Sequence, residues 1–201
     1  MDELYEFCTR MLGDGEAGAE VAQSAREAGG AELVAALRFA SGACRDRLGG
    51  KPVADGGALA PGRDLSSAVA REVAAASARL PQRQREALAL RELLRLPYDQ
   101  IADVIGIDTA AVAPLLARSR LRLRAELRGA PPAANDCPER ERTLRTATPR
   151  QDGEAVPAAD DDWFIEHLGH CSGCRRAHAA MLEGSACYRG WRPAPAPSAA
   201  T

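Results

Sequence analysis

The sequence predicts an all-α fold built of three helical segments. Much of its apolar content is alanine, which favours helices, and only 4% of its 201 residues are aromatic. Apolar residues recur at helical spacing, and stretches rich in glycine and proline separate the segments. The chain therefore divides into a first helical domain at 1–50, a flexible linker at 51–63, a second domain at 64–130, a linker at 131–136, a third domain at 137–192 and a disordered tail at 193–201.

Targeting signals and motifs limit the class of protein. No run of eighteen or more apolar residues occurs, and the N-terminus lacks the basic and apolar stretches of a signal peptide. We therefore expect a cytoplasmic protein with no membrane partner. The chain has no phosphate-binding loop, no Ser/His/Asp arrangement and no open metal site, so an enzyme is the least favoured class.

The first domain and the start of the second are predicted from apolar spacing and capping residues. Three helices are expected in the first domain, at about residues 4–12, 19–28 and 31–48. The second domain begins with a helix capped by Asp64 or Ser66. Pro81 then opens a helix over residues 82–96, and Pro97 ends it.

A helix-turn-helix is predicted in the second half of the same domain. A short helix at 98–105 ends at Gly106, which can adopt the left-handed conformation of a tight helix end. Asp108 is expected to cap the next helix, whose apolar face carries Val112, Leu115, Leu116 and Leu123. In such a motif the second helix enters the DNA major groove.

The charge distribution supports a nucleic-acid partner. Between Arg79 and Arg128 arginine outnumbers the acidic residues, whereas residues 152–162 are acidic and contain no basic residue. Taken alone, an arginine run more often solvates a helix end and complements its dipole. Beside a helix-turn-helix, contact with DNA phosphates is the favoured interpretation. The candidate DNA-contacting residues are Thr109, Ala110, Ala113, Arg118, Arg120, Arg122 and Arg124.

A metal site is predicted in the third domain from the spacing His167-x₃-Cys171-x₂-Cys174. The Cys-x₂-Cys spacing lets two thiolates converge from one turn, and the histidine four residues earlier shares their helical face, as a tetrahedral zinc ion requires. The alternative is a pair of free thiols beside a surface histidine. Four protein ligands would close the coordination shell, so the zinc would be structural and not catalytic.

Residues 80–124 resemble region 4 of bacterial RNA polymerase sigma factors of the extracytoplasmic-function group. The resemblance lies in Leu80-Pro81, in Tyr98-Asp99-Gln100-Ile101-Ala102 and in Gly106-Ile107. The first domain resembles region 2 at Leu4-Tyr5-Glu6-Phe7, Leu12-Gly13-Asp14, Ala22-Gln23 and Cys44-Arg45-Asp46-Arg47-Leu48. The resemblance implies that the protein binds core RNA polymerase and promoter DNA, with region 2 opening the −10 element and region 4 reading the −35 element.

The chain also departs from the sigma factor pattern. Region 2 is shortened, and the interval from Gln23 to Arg38 lacks the Trp and Phe residues on which unstacked bases are held. The helix expected to read DNA has Ala113, Pro114 and Leu115 where the family commonly has Lys, Ser and Arg, which removes donors to bases and phosphates. Pro114 is expected to kink this helix or to shift its start.

The His167, Cys171 and Cys174 motif is similar to the zinc-binding anti-sigma domain. The family takes a fourth ligand from an upstream helix, which implies Cys137 here, with Cys187, His170 and His178 as alternatives. The leading hypothesis is a sigma-like initiation factor whose fused zinc domain contacts the sigma regions and modulates their accessibility. The alternative is a degenerate regulator that binds polymerase or another sigma factor without initiating transcription.

Overall fold

A computed structural model describes residues 3–49, 67–129 and 136–191. These residues form helices and no strands, which confirms the predicted all-α class. The helices are α1 (Glu3–Leu12), α2 (Gly15–Gly29), α3 (Leu33–Leu48), α4 (Ser67–Ala78), α5 (Gln82–Leu88), α6 (Tyr98–Ile105), α7 (Val112–Arg128), α8 (Arg140–Asp152), α9 (Ala158–His170) and α10 (Ser172–Gly190). The predicted linker at 51–63, residues 131–135 of the second linker, the tail at 193–201 and the expected caps Asp64 and Ser66 lie outside the described residues.

The single helix expected at 82–96 is wrong in its second half. The regular helix α5 ends at Leu88, and a π-helical turn, Ala89–Leu93, follows it. Arg95 then takes a positive φ of 57°, which breaks the helix two residues before Pro97. From this turn the Arg91 guanidinium donates to the carbonyl of Leu96 at 2.7 Å.

The helix-turn-helix forms with the predicted turn. Gly106 adopts the left-handed conformation (φ 73°) at the end of α6, and α6 is bent by 100° from the stretch Thr109–Arg128. Asp108 caps a 3₁₀ turn, Thr109–Ala111, before α7 begins at Val112. Pro114 therefore falls in the first turn of α7, where backbone N–H groups have no intrahelical acceptor, so it shifts the helix start as expected.

Helix α7 lies between two hydrophobic cores. The larger core joins α1–α6 to one side of α7, through Val112, Leu116 and Leu123, and it also contains Tyr188 and Trp191 from the end of α10. The smaller core is formed by Ala117 and Leu121 of α7 with Leu144, Ala147, Phe164 and Met181 of α8–α10. The helices of the third domain therefore complete their core with the helix-turn-helix.

The backbones of α7 and α10 approach each other closely at Gly184. A Cβ atom at this position would collide with the backbone carbonyl of Arg120. Only glycine permits this approach, and it brings Glu183, one residue earlier on α10, next to the arginines of α7.

The described parts of the chain contain no single helix that is long and apolar enough to cross a membrane. The pair made by α6 and Thr109–Arg128 passes that test only when both are taken together across their 100° bend.

Glu86 is a buried carboxyl group between α3 and α5, and it leads to a prediction of pH-dependent stability. Burial raises its pKa, although Arg45 at 3.7 Å and a hydrogen bond from Ser41 at 3.0 Å oppose the rise. A raised folded-state pKa gives stability that is present below the unfolded pKa and is lost as pH rises through the folded value. We therefore expect Glu86→Gln to resist urea better than the wild type at pH 8. The difference should shrink at pH 5, and a pH-independent difference would contradict this explanation.

Candidate metal centre and nucleic-acid interface

Four ligand side chains meet where the three helices of the third domain converge. Cys137 precedes α8, His167 lies in the last turn of α9, Cys171 lies between α9 and α10, and Cys174 lies in the first turn of α10. Their ligand atoms all lie within 4.8 Å of one another, and the Cys137 Sγ is 3.6 Å from the His167 Nε2. The structure therefore groups the four residues that the sequence analysis selected.

This donor set fits a tetrahedral zinc ion. Zinc bonds of about 2.0–2.3 Å place neighbouring ligand atoms roughly 3.3–3.8 Å apart. A small contraction of the cluster is enough to reach these distances. The N–H of Cys174 donates to the Cys171 Sγ at 3.5 Å, and this backbone hydrogen bond is the main cause of the lowered pKa of the Cys171 thiol. A thiolate is the form that binds metal, so the first turn of α10 favours the ligating state.

The three alternative fourth ligands lie outside this cluster. His178 packs edge-on against the Phe164 ring at 5.4 Å, and burial lowers its pKa. Cys187 is half-buried against the larger core, where burial raises its pKa. His170 is exposed at the end of α9. Within the described residues, the group that could hold a metal contains Cys137 and none of these three.

The candidate DNA-contacting residues separate into an exposed group and a covered group. Thr109 and Ala110 are exposed on the 3₁₀ turn, and Ala113 is half-buried in the first turn of α7. Arg118 is exposed, with no ion pair in the described part of the chain. Arg122 is also exposed and lies 3.8 Å from the Glu126 carboxylate, one helical turn away.

Arg120 is placed differently from the expectation that it contacts DNA. Its side chain is fully buried, and it donates to Glu92 at 2.7 Å and to Asp152 at 2.5 Å. Burial alone would lower its pKa, but the two carboxylates outweigh burial and raise it. Arg120 is thus an internal cation in this structure, because its position on α7 faces α8 and α10 and not solvent.

Arg124 is also engaged by the third domain. Its Nε donates to the Glu183 carboxylate at 3.1 Å, and Arg128 on the next turn of α7 pairs with the same carboxylate. The two arginines hold the pKa of Glu183 below its usual value. A single carboxylate of α10 therefore occupies two cations at the end of α7.

Asp152, Glu92 and Glu183 are partners of the α7 arginines that sequence reasoning missed. Asp152, at the end of α8, accepts from Arg120 and also from the Tyr98 hydroxyl at 2.7 Å, and its carbonyl accepts from Arg91. Glu92 binds Arg120 and, at 2.7 Å, Arg189 of α10. The acidic stretch 152–162 opposite a basic middle was the available signal for Asp152. No sequence signal indicated Glu92, which lies inside the basic stretch.

Helices α6 and α7 form a helix-turn-helix, a motif that many DNA-binding proteins contain. Residues 70–123 match the family model for sigma-70, region 4, and this match supports a relationship with the sigma factor family and a role in transcription. The match begins within α4 and ends within α7. No curated protein and no solved structure matches the chain.

Proposed function

We propose that this chain is a sigma factor-like initiation factor of the extracytoplasmic-function type, which binds core RNA polymerase and promoter DNA and contacts the −35 element through α7. The observation that carries the proposal is the helix-turn-helix, with its 100° bend after Gly106, inside the region 4 match. Exposed Arg118 and Arg122 supply phosphate contacts. Because Arg120 is enclosed and the first turn of α7 carries only apolar side chains, Thr109 on the 3₁₀ turn is left as the candidate base-contacting side chain.

The proposal includes control by the third domain, acting as a zinc-stabilised anti-sigma-like module in cis. Glu183 pairs with Arg124 and Arg128 of α7, which would otherwise be available to DNA phosphates. The α3 residue Arg38 also pairs with Asp103 of α6 at 3.3 Å, so the region 2-like helices lie against the helix-turn-helix. The −10 and −35 elements are about 25 base pairs apart by their numbering, or roughly 85 Å at 3.4 Å per step. The two parts must therefore separate to engage both elements.

Run-off transcription with purified core polymerase tests the initiation role. We expect a promoter-dependent product that increases when a chelator removes the metal from the chain. Polymerase alone and polymerase with a Gly106→Val variant are the controls, because valine at a positive φ distorts the helix-turn-helix. No promoter-dependent product with or without chelator would refute initiation.

The second candidate is a regulator that binds polymerase or another sigma factor without opening DNA. It is favoured by the region 2-like helices, which present the acidic residues Glu16, Glu20 and Glu27 on α2. Arg10 of α1 is turned inward, where its guanidinium donates to the carbonyls of Tyr188 and Trp191. Binding to core polymerase in a pull-down, together with no open complex in permanganate footprinting, would establish this candidate over the first.

Removing the Glu183 carboxylate should strengthen DNA binding. Glu183→Gln frees Arg124 and Arg128 for phosphates, so we expect affinity for duplex DNA to rise by roughly three- to tenfold at low salt. The slope of log K against log salt should steepen by up to about 2, one for each released arginine. Fluorescence anisotropy at several salt concentrations measures both quantities.

Glu16→Gln is the matched control, because it makes the same charge change at an exposed position on α2, away from α7. An equal rise in affinity for both variants would mean that net charge, and not the released arginines, governs DNA binding.

A further inference from the structure

The side chains of Arg142, Trp163 and His167 form a stack that ends at the metal centre, where His167 is a candidate ligand. The Trp163 ring is stacked on the His167 ring, with 5.0 Å between their centroids and 14° between their planes. The Arg142 guanidinium lies 3.9 Å from the Trp163 ring centroid, and it pairs with Asp160 at 3.0 Å. The order is therefore Asp160, Arg142, Trp163 and His167, from the surface to the metal ligands.

The geometry follows from helix spacing. Trp163 and His167 are four residues apart on α9, so their side chains lie one above the other on one face. Arg142 comes from α8, which packs beside α9. Its cation is attracted to the electron-rich face of the indole. The Trp163 ring thus contacts both the Arg142 guanidinium of α8 and the His167 ring of α9.

A metal-bound histidine needs its ring orientation fixed. Most such histidines achieve this by donating the second ring N–H to a carboxylate or carbonyl. In the part of the chain that the structure describes, the hydrogen-bonding contact of the His167 ring is that of its Nε2 with Cys137. A flat stack at 14° restrains the same ring plane by surface contact.

We propose that Trp163, supported by Arg142, is a positioning residue for the metal centre: it sets the plane of the His167 ring so that Nε2 faces the thiolates of Cys137, Cys171 and Cys174. The inference rests on the proposed zinc site and assigns a role to residues outside the ligand set. The stacking lowers the entropic cost of metal binding, because the His167 ring is already oriented before the metal binds.

The test compares Trp163→Leu with Trp163→Phe in the full chain. Trp163 is half-buried, so leucine keeps apolar contact without a stacked ring, and phenylalanine keeps a smaller stack. Zinc affinity is measured by competition with a chromophoric chelator. We expect Trp163→Leu to weaken zinc binding by about 10-fold or more, as happens when a residue that orients a metal ligand is lost. Trp163→Phe should keep most of the wild-type zinc affinity. Arg142→Gln should weaken binding by less than Trp163→Leu.

A spectroscopic readout separates positioning from a merely structural role. In the cobalt-saturated chain, Trp163→Leu should change the d–d absorption bands, which report coordination geometry, while far-UV circular dichroism remains that of the wild type. Ile165→Ala is the control, because this apolar side chain lies on the same helix and is 55% exposed. It should leave both zinc affinity and the cobalt spectrum unchanged.

Three results would overturn the inference: wild-type zinc affinity in Trp163→Leu, equal losses in Trp163→Leu and Trp163→Phe, or the same loss in Ile165→Ala. Each of these leaves the zinc site itself standing. A wild-type chain that binds neither zinc nor cobalt would instead remove the metal centre and this role together.

Discussion

Replacing Cys174 by serine is expected to abolish zinc binding and to unfold α8–α10 from the rest of the chain. Cys174 is fully buried in the cluster, and serine is a hard, weak ligand for zinc. Structural zinc contributes an apparent free energy of about 10–16 kcal/mol at neutral pH in small zinc modules, and that energy is folding energy. The core of α8–α10 is small and borrows Ala117 and Leu121 from α7, so it offers little to replace the metal.

Zinc content per chain, far-UV circular dichroism and limited proteolysis measure this effect. Loss of helix signal and new cleavage within 136–191 are expected for Cys174→Ser, and for the wild type after chelation. Cys187→Ser is the control, because this half-buried thiol lies outside the cluster. It should keep its zinc and its protease resistance. A Cys174→Ser chain that retains stoichiometric zinc would disprove the ligand assignment.

Replacing Glu92 by alanine is expected to destabilise the chain by about 3–5 kcal/mol, because a buried charge loses its partner. Glu92 is 3% exposed and receives hydrogen bonds from Arg120 and Arg189. Without Glu92, Asp152 is the carboxylate partner that remains for Arg120 among the residues that the structure describes. An arginine guanidinium stays charged at any ordinary pH, so Arg120 cannot relieve the loss by releasing a proton. Urea unfolding at saturating zinc measures the change in free energy.

An exposed ion pair supplies the comparison for Glu92. Glu126→Ala removes the partner of Arg79, a bond of 2.8 Å at the surface, and should cost less than about 1 kcal/mol. In the double variant Glu92→Leu with Arg120→Met, much of the loss should be recovered, since an apolar replacement of a buried pair avoids the desolvation cost. Similar costs for Glu92→Ala and Glu126→Ala would show that the buried network contributes no special stability.

The helix-turn-helix could be predicted because its signals are local. Gly106 meets a backbone requirement of the turn, and Asp108 caps the residues that directly follow it. The sequence left open whether Pro114 kinks α7 or shifts its start, and the structure places it in the first turn of α7. The prediction of a continuous helix at 82–96 was wrong because helix propensity contains no signal for the π turn or for the positive φ of Arg95.

The metal cluster could be predicted only in part. His167, Cys171 and Cys174 occupy one short stretch, so their spacing alone brings them together. Cys137 is thirty residues from His167, and its selection rested on a resemblance to a family. Its position beside the other ligands depends on how α8 packs on α9, which no local pattern expresses.

The roles of the arginines on α7 depended wholly on the tertiary structure. Arg118, Arg120, Arg122 and Arg124 alternate along one stretch and have the same chemistry, so the sequence assigns them one common role. Packing separates them: Arg118 and Arg122 face solvent, Arg120 is enclosed, and Arg124 meets Glu183.

The sequence by itself therefore determined the helical class, the helix-turn-helix and three of the four grouped metal-site residues, because each depends on contacts between near neighbours in the chain. Only the tertiary structure decided that Asp152, Glu183 and Glu92 pair with the cations of α7, and that a core shared with α8–α10 covers this helix. These pairings depend on the close approach of α7 and α10 at Gly184, since electrostatic partners are selected by distance in space and not by distance along the chain.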